Sequence, residues 1–265
     1  MTGRSTTMVA VAFGVFCTAT AYAGGSGFRL DSDEFPIGMF SGDSPGAMAQ
    51  VARMGVGYVH TYAGGRSLAE TELARDRAYL DEAQKNGLKV MFNLNGPVWL
   101  KRPDGVSEML TLVNTFKDHP ALGFWYLYDE PDGSYTAAQL RPYYEVIRAA
   151  TPAIPVAVCT AWSAHWTSHV SVLDLLMVDI YPVNREPFPE AKLDHMTTFT
   201  EQALRLGKPV IPINQCFNWR ALARGQEPYR GGPAGTLRYP EPAELRYWCY
   251  AGASQGVRGM FWWRL

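Results

Sequence analysis

Eight apolar runs punctuate the chain: "FPIGMF" (35–40), "GVGYVHTYA" (55–63), "LKVMFNLNG" (88–96), "ALGFWYLYDE" (121–130), "IPVAVCTAW" (154–162), "LDLLMVDIYPV" (173–183), "KPVIPINQCF" (208–217) and "GVRGMFWWRL" (256–265). Most are near-continuous in apolar residues, the pattern of parallel strands covered on both faces. Helical stretches lie between them. Ser67 with Glu70, and Thr136 with Gln139, have capping-box spacing. Ala69, Leu73, Leu80 and Ala83 share one helical face, which Asp76 and Arg77 interrupt. Gly55, Gly87, Gly207 and Gly256 each stand between a helix and the next strand, where a left-handed residue ends a helix without a Cβ clash. Eight strands joined by seven helical crossovers predict an α/β chain, a (β/α)8 barrel, in which no eighth outer helix follows the last strand. A doubly wound sheet also alternates, but no Gly-rich phosphate fingerprint follows the first run; "MFSGDSPG" is a turn.

The N-terminus changes the domain picture. Arg4, the run "MVAVAFGVF" and "TATAYAGG" read as a secretory signal peptide over residues 1–23, cleaved after Ala21-Tyr22-Ala23 and before Gly24. The run is too short for a stable bilayer span. Residues 24–265 are expected to form one barrel domain in a secreted or periplasmic protein. A 47% hydrophobic composition is enough to build that core. The net charge of -1 argues against a nucleic-acid or membrane-surface partner, since neither polyanion would attract the chain at long range. Cys17 leaves with the leader. Cys159, Cys216 and Cys249 remain, an odd set without zinc spacing that suits structural thiols or one disulfide plus a free thiol.

In such barrels the chemistry gathers at the C-terminal strand ends. Those ends carry Asp43; His60 and Tyr62; Asn93 and Asn95; Asp129 and Glu130; Asp179 and Tyr181; Asn214 and Gln215; and Trp262, Trp263 and Arg264. A packed core does not ask for polar residues at one end of so many strands. The run "GFWYLYDEPDG" drives an aromatic strand into Asp129-Glu130, with Trp125 and Tyr128 as expected apolar surroundings. A carboxyl group there would resist ionisation, as a proton donor to a leaving oxygen requires. Adjacent strand residues point to opposite faces, so one of the two is expected to turn away.

Three of these stretches, "YLYDEP", "VDIYP" and "FWW", resemble the barrel glycoside hydrolases of clan A. The resemblance implies that Glu130 is the acid/base. It puts Asp129 in place of the Asn that holds a sugar 2-hydroxyl, and gives Trp262 or Trp263 a sugar-platform role. It departs at strand seven, where Gln215 stands in place of the nucleophilic Glu, and an amide cannot form a glycosyl ester. The adjacent Asp-Glu pair is also similar to families 20 and 123, in which an N-acetyl group of the substrate is the nucleophile; Asp129 would then orient it. Inversion is the other route, with Asp179 or Asp43 activating water opposite Glu130, although Asp179 suits a barrel-lining role equally well.

Together with the leader-like N-terminus, the resemblance implies a secreted hydrolase of O-glycosidic bonds in a poly- or oligosaccharide, with no metal or cofactor. His60, Tyr62, Asn95, Tyr181, Asn214, Gln215, Trp262 and Trp263 would hold the carbohydrate. The alternative is a glycan-binding barrel that has lost its nucleophile. The segment 217–241 is expected to cover the cleft. Its Arg220, Arg224, Arg230 and Arg238 suit surface ion pairs or an acidic sugar, and its Trp219 and Tyr229 suit a pyranose ring or the loop's own anchorage. His165 and His169, four apart with no third ligand nearby, read as an exposed helix face.

Overall fold

All eight apolar runs fold as strands: β1 Ile37–Phe40, β2 Tyr58–His60, β3 Lys89–Asn93, β4 Leu122–Asp129, β5 Val156–Thr160, β6 Leu175–Asp179, β7 Val210–Gln215 and β8 Met260–Trp263. Neighbours pair in parallel in chain order, and β8 returns to β1, from Ile37 beside Met260 to Phe40 beside Trp263. The chain is a closed (β/α)8 barrel. The computed structural model describes residues 28–40, 45–131, 133–161, 163–183, 193–219 and 237–263. The expected leader, Asp43, Arg220, Arg224, Tyr229, Arg230 and Arg264 lie outside the described residues.

The crossovers carry α1 Pro45–Arg53, α2 Glu70–Lys85, α3 Gly96–Trp99, α4 Gly105–Phe116, α5 Ala137–Ala150, α6 Ser163–His169, α7 Asp194–Leu204 and α8 Pro242–Gln255; the β3–β4 connection holds both α3 and α4. Strand alternation divides the core. Tyr58, Met91, Phe124, Tyr126, Met177 and Ile213 fill the barrel, whereas Val59, Val90, Trp125, Val158 and Leu176 pack against the helices. Below the strands, residues 28–34 plug the N-terminal end. Phe28 is fully buried against Tyr58 and Phe124. The Arg258 guanidinium lies over the Phe28 ring at 4.8 Å and donates to the carbonyls of Arg29, Leu30, Ser32 and Glu34. A cavity of about 210 Å³ beside this plug is lined by Arg29, Asp31, Arg148 and Asp174, at the opposite end from the strand termini discussed below.

Gly55, Gly87, Gly207 and Gly256 all adopt positive φ, between 70° and 82°. The Thr136–Gln139 capping box forms as expected, but the Ser67–Glu70 box does not. α2 begins later, with Ala69 as its N-cap, and the Ser67 hydroxyl accepts the Ala69 N–H at 3.2 Å. The interruption of the α2 stripe has a cause too: Asp76 is buried and accepts the Gly65 N–H at 2.9 Å, while Trp99 donates to the Gly65 carbonyl at 3.0 Å. Gly65 is held at φ 67°, and a Cβ there would meet the Asn93 carbonyl at 2.2 Å. Gly65→Ala is therefore expected to cost about 2–4 kcal/mol, from left-handed strain plus overpacking against backbone. An unchanged denaturant midpoint would show that the loop yields instead.

One expectation is corrected and one open alternative is decided. The helix face of His165 and His169 is not simply exposed: His169 is buried, its ring nitrogens meeting the carbonyls of His165 at 2.9 Å and Tyr135 at 3.0 Å, so it ties α6 to the segment before α5. Cys159, Cys216 and Cys249 are all free thiols, so no disulfide forms among them.

Candidate active site

The path of β4 decides which side chains reach the barrel mouth. Tyr126 points into the barrel, and ordinary alternation would turn Asp129 out among the helices. The register against β5 slips between Tyr126 and Tyr128, so Leu127 and Tyr128 both pack outward. Asp129 then falls beside the inward-facing Cys159. A bulge re-aims side chains in this way, at the cost of one unpaired residue. The next residue, Glu130, takes φ 50°, a left-handed conformation uncommon outside glycine, while its N–H still bonds to the Cys159 carbonyl at 2.9 Å. That turn leaves its carboxyl close enough to Asp179, at the end of β6, for its charge to help raise the Asp179 pKa. The two adjacent acids thus both serve the mouth, against the expectation that one would turn away. The surroundings also differ from expectation. Trp125 and Tyr128 belong to the outer layer, where Trp125 donates to Thr151 at 2.9 Å.

The Tyr126 hydroxyl donates to Asp129 Oδ1, and the Tyr62 hydroxyl lies at the same carboxyl. Asp129 is open toward the mouth but ringed by protein on its other sides. Burial is the chief cause that lifts its pKa to about 6; Glu130 adds to the rise and the two hydroxyls oppose it. Asp179 is more enclosed. Burial first, then the charges of Glu130 and Asp129, push it well above the usual carboxylate range, and Oδ1 has no partner among the described residues. Tyr62, Tyr126 and Tyr181 are likewise held protonated, chiefly by burial, and the first two serve Asp129 as donors.

One wall of the mouth is aromatic. Tyr181 stacks on Trp263 at 5.5 Å and 23°, and Phe217 stands edge-on to Trp263 at 4.7 Å. Trp219, 5% exposed, packs on Phe217 at 5.0 Å and so anchors its loop. Arg238 forms an ion pair with Glu244 at 2.7 Å.

Other expected site residues go elsewhere. Gln215 is fully buried: its Oε1 accepts the Val183 N–H at 2.9 Å, and its Nε2 donates to the carbonyls of Val183 at 3.2 Å and Phe217 at 3.0 Å. It fastens the loop after β6 and has no donor to spare for a sugar. Trp262 packs with the outer layer. Asn214 shares the outward parity of Val210 and Pro212, the latter facing Gly252 of α8. His60 is fully buried between Phe40 and Tyr62, at 4.5 and 4.6 Å, and burial drives its pKa down to about 3. It is a neutral ring supporting the tyrosines. Asn95 is half-buried at φ 50°, its N–H bonded to Asn93 Oδ1 at 2.9 Å, while Asn93 Nδ2 reaches the Tyr62 carbonyl at 3.4 Å. Tyr126, Cys159 and Phe217 were missed. Alternation from Ala157 would have placed Cys159 inward, but nothing local marks the bulge that joins Tyr126 to Asp129.

No known family model matches the chain, and no curated protein is similar to it in sequence. Among solved structures, the fold is similar to a β-1,3-glucanosyltransferase of Rhizomucor miehei, with TM-score 0.57, 18% identity and 86% of both chains covered. It is also similar to a β-galactosidase from Marinomonas ef1 (TM-score 0.65, 13% identity, 86% of this chain) and to a β-D-glucuronidase from Dictyoglomus thermophilum (TM-score 0.58, 15% identity, 86% of this chain). The chain spans 54% of the galactosidase and 43% of the glucuronidase. At these identities the likeness is one of fold.

Proposed function

We propose that this chain is an exported glycoside hydrolase that cleaves O-glycosidic bonds of a poly- or oligosaccharide, with Glu130 as general acid/base. The observation that carries the reading is the bulge and left-handed turn at the end of β4, which bring Asp129 and Glu130 together with Asp179 beside an aromatic wall. A non-glycine residue at positive φ costs about 1–3 kcal/mol, and such strain gathers at functional sites. The glycan-processing activities of the structurally similar proteins support a carbohydrate substrate. The leader-like residues 1–23 support export.

The site favours substrate assistance over the other routes. Gln215 is committed to Val183 and Phe217 and lacks a nucleophilic oxygen. Asp179 is enclosed and held protonated by burial and by the charges of Glu130 and Asp129, which ill suits a base that must activate water for inversion. Asp129, pinned by tyrosine hydroxyls, is suited to orient a 2-acetamido group whose carbonyl oxygen attacks C1 as Glu130 protonates the departing oxygen. Water then opens the cyclic intermediate and the configuration is retained.

The test is a panel of aryl glycosides with and without 2-acetamido groups, the product anomer being read by NMR. Cleavage confined to 2-acetamido sugars with retention is expected. Inversion would reject substrate assistance, and binding without cleavage across the panel would favour the non-catalytic barrel.

A pH limb follows. Asp129 must be ionised to orient the acetamido group, and its carboxyl is protonated below about pH 6. The kcat/KM is therefore expected to fall on the acid side of about pH 6, and this limb should vanish in the weakened Asp129→Asn variant. A profile flat down to pH 4 would contradict it.

A further inference from the structure

Exposed aromatic rings gather on one flank of the barrel. Among the described residues five large apolar or aromatic side chains are exposed, and three of them are tyrosines of α8 and the segment leading into it: Tyr239 (62%), Tyr247 (40%) and Tyr250 (75%). The other two, Phe35 and Met54, lie at the N-terminal end of the barrel. Single exposed apolar residues are ordinary, whereas a cluster marks a contact surface.

The chain path ties this cluster to the mouth. Leu237 packs against the core group that includes Tyr181, Phe217 and Trp219, and its carbonyl accepts Asn218 Nδ2 at 2.9 Å. The next residue, Arg238, grips Glu244 in the first turn of α8 with two bonds of 2.7 Å. Because α8 joins the C-terminal end of β7 to the start of β8, it runs down the outside of the barrel from the mouth. Trp248 and Gly252 are its buried side. The opposite side is a stripe of Ala243, Tyr247, Tyr250 and Ser254, spaced by three or four residues and all exposed. This stripe carries no charge, although Arg246 borders it, and no aliphatic side chain larger than alanine. Tyr247 and Tyr250 differ in height by about 4.5 Å, near the length of one pyranose unit. The Tyr247 hydroxyl, 3.5 Å from that of Thr197 on α7, helps to set its ring.

We propose that Tyr247 and Tyr250 form a second binding site, outside the catalytic mouth, for an uncharged glycan chain, with Tyr239 on the segment that connects them to the mouth. The ligand class rests on the glycosidase reading; the site itself is additional to it. A tyrosine ring offers a flat apolar face to the C–H face of a pyranose and keeps its hydroxyl wet. The small residues on either side leave both rings open to a ligand lying along the helix. Two or three side chains fall short of the roughly 800 Å² per partner that a stable protein interface needs. A polymer held here presents its other linkages to the mouth at raised effective concentration.

The test is affinity electrophoresis of wild type and the Tyr247→Ser/Tyr250→Ser double variant in gels containing glycol chitin, laminarin or galactomannan, with polygalacturonate as the acidic control. Wild type is expected to be retarded by at least one neutral polymer, and the double variant to bind that polymer at least about tenfold more weakly. Its kcat/KM on an aryl glycoside, too short to reach both rings and the mouth, should stay within about twofold. The Tyr247→Phe/Tyr250→Phe variant keeps the rings and should keep the retardation. Equal retardation of wild type and the serine variant, retardation by none of the neutral polymers, or a parallel fall on the aryl glycoside would overturn the proposal. So would a wild-type dimer, seen by light scattering, that the serine variant breaks, since α8 would then be a contact between copies. Failure of the glycosidase reading looks different: no aryl glycoside would be cleaved, while tyrosine-dependent retardation by a neutral polymer would persist.

Discussion

Glu130→Gln is expected to lower kcat/KM at least about a hundredfold on a glycan with a sugar leaving group, while the Kd for that glycan stays within a few-fold of wild type. A positioned proton donor contributes about 10²–10⁴ in rate, and a hundredfold corresponds to about 2.7 kcal/mol of transition-state stabilisation. The amide matches the carboxyl in size and leaves the β4 terminus intact, including the Glu130 N–H bond to the Cys159 carbonyl. It can no longer release a proton. Parallel loss of binding and turnover would mean that Glu130 holds substrate and does not catalyse.

Gln215→Glu is the second large effect. It places a carboxylate where clan A barrels carry their nucleophile, yet it is expected to unfold the site and not to repair it. One Glu oxygen can still accept from Val183 N–H, but the other would face the carbonyls of Val183 and Phe217, which now receive the Gln215 Nε2 hydrogens. A fully buried charge against two acceptors should cost about 3–5 kcal/mol at neutral pH. The sign with pH is fixed. Burial and the carbonyls favour the protonated form, so the deficit is full at neutral pH and shrinks as pH falls through the raised folded value. Denaturation midpoints at pH 5 and pH 7.5 check this. A variant as stable as wild type, and covalently labelled at position 215 by a fluorinated glycoside, would contradict it.

The barrel was legible because its strands are buried on both faces and so stand out as apolar runs, each closed by a turn or a helix-ending glycine such as Gly256. The Thr136 box was legible for a similar reason, since both partners lie within one helical turn. Ser67 misled because Asp76 and Trp99 hold the preceding loop to β3 and delay the helix to Glu70.

Glu130 and Asp129 could be located at the mouth from sequence, but not how both face it. Strict alternation forbids that, and only the slip at Leu127 and the left-handed Glu130 allow it. The same slip sends Tyr128 outward and gives Asp129 its bond from Tyr126. Gln215 was misjudged for another reason: its partner Val183 lies 32 residues away, and a side chain at a strand end looks the same in sequence whether it meets ligand or loop.

The central claim, that Glu130 gives a proton to a departing sugar oxygen, is tested most directly by varying the leaving group. Aryl and alkyl glycosides of one sugar would be compared in wild type and Glu130→Gln. A departing oxygen that is already a weak base needs little protonation, so the variant's kcat/KM, which reports the bond-breaking step, should come close to wild type on a dinitrophenyl glycoside and fall progressively further behind as the leaving group becomes more basic. An equal loss across the whole series would contradict the account, because it would put Glu130 outside the proton transfer.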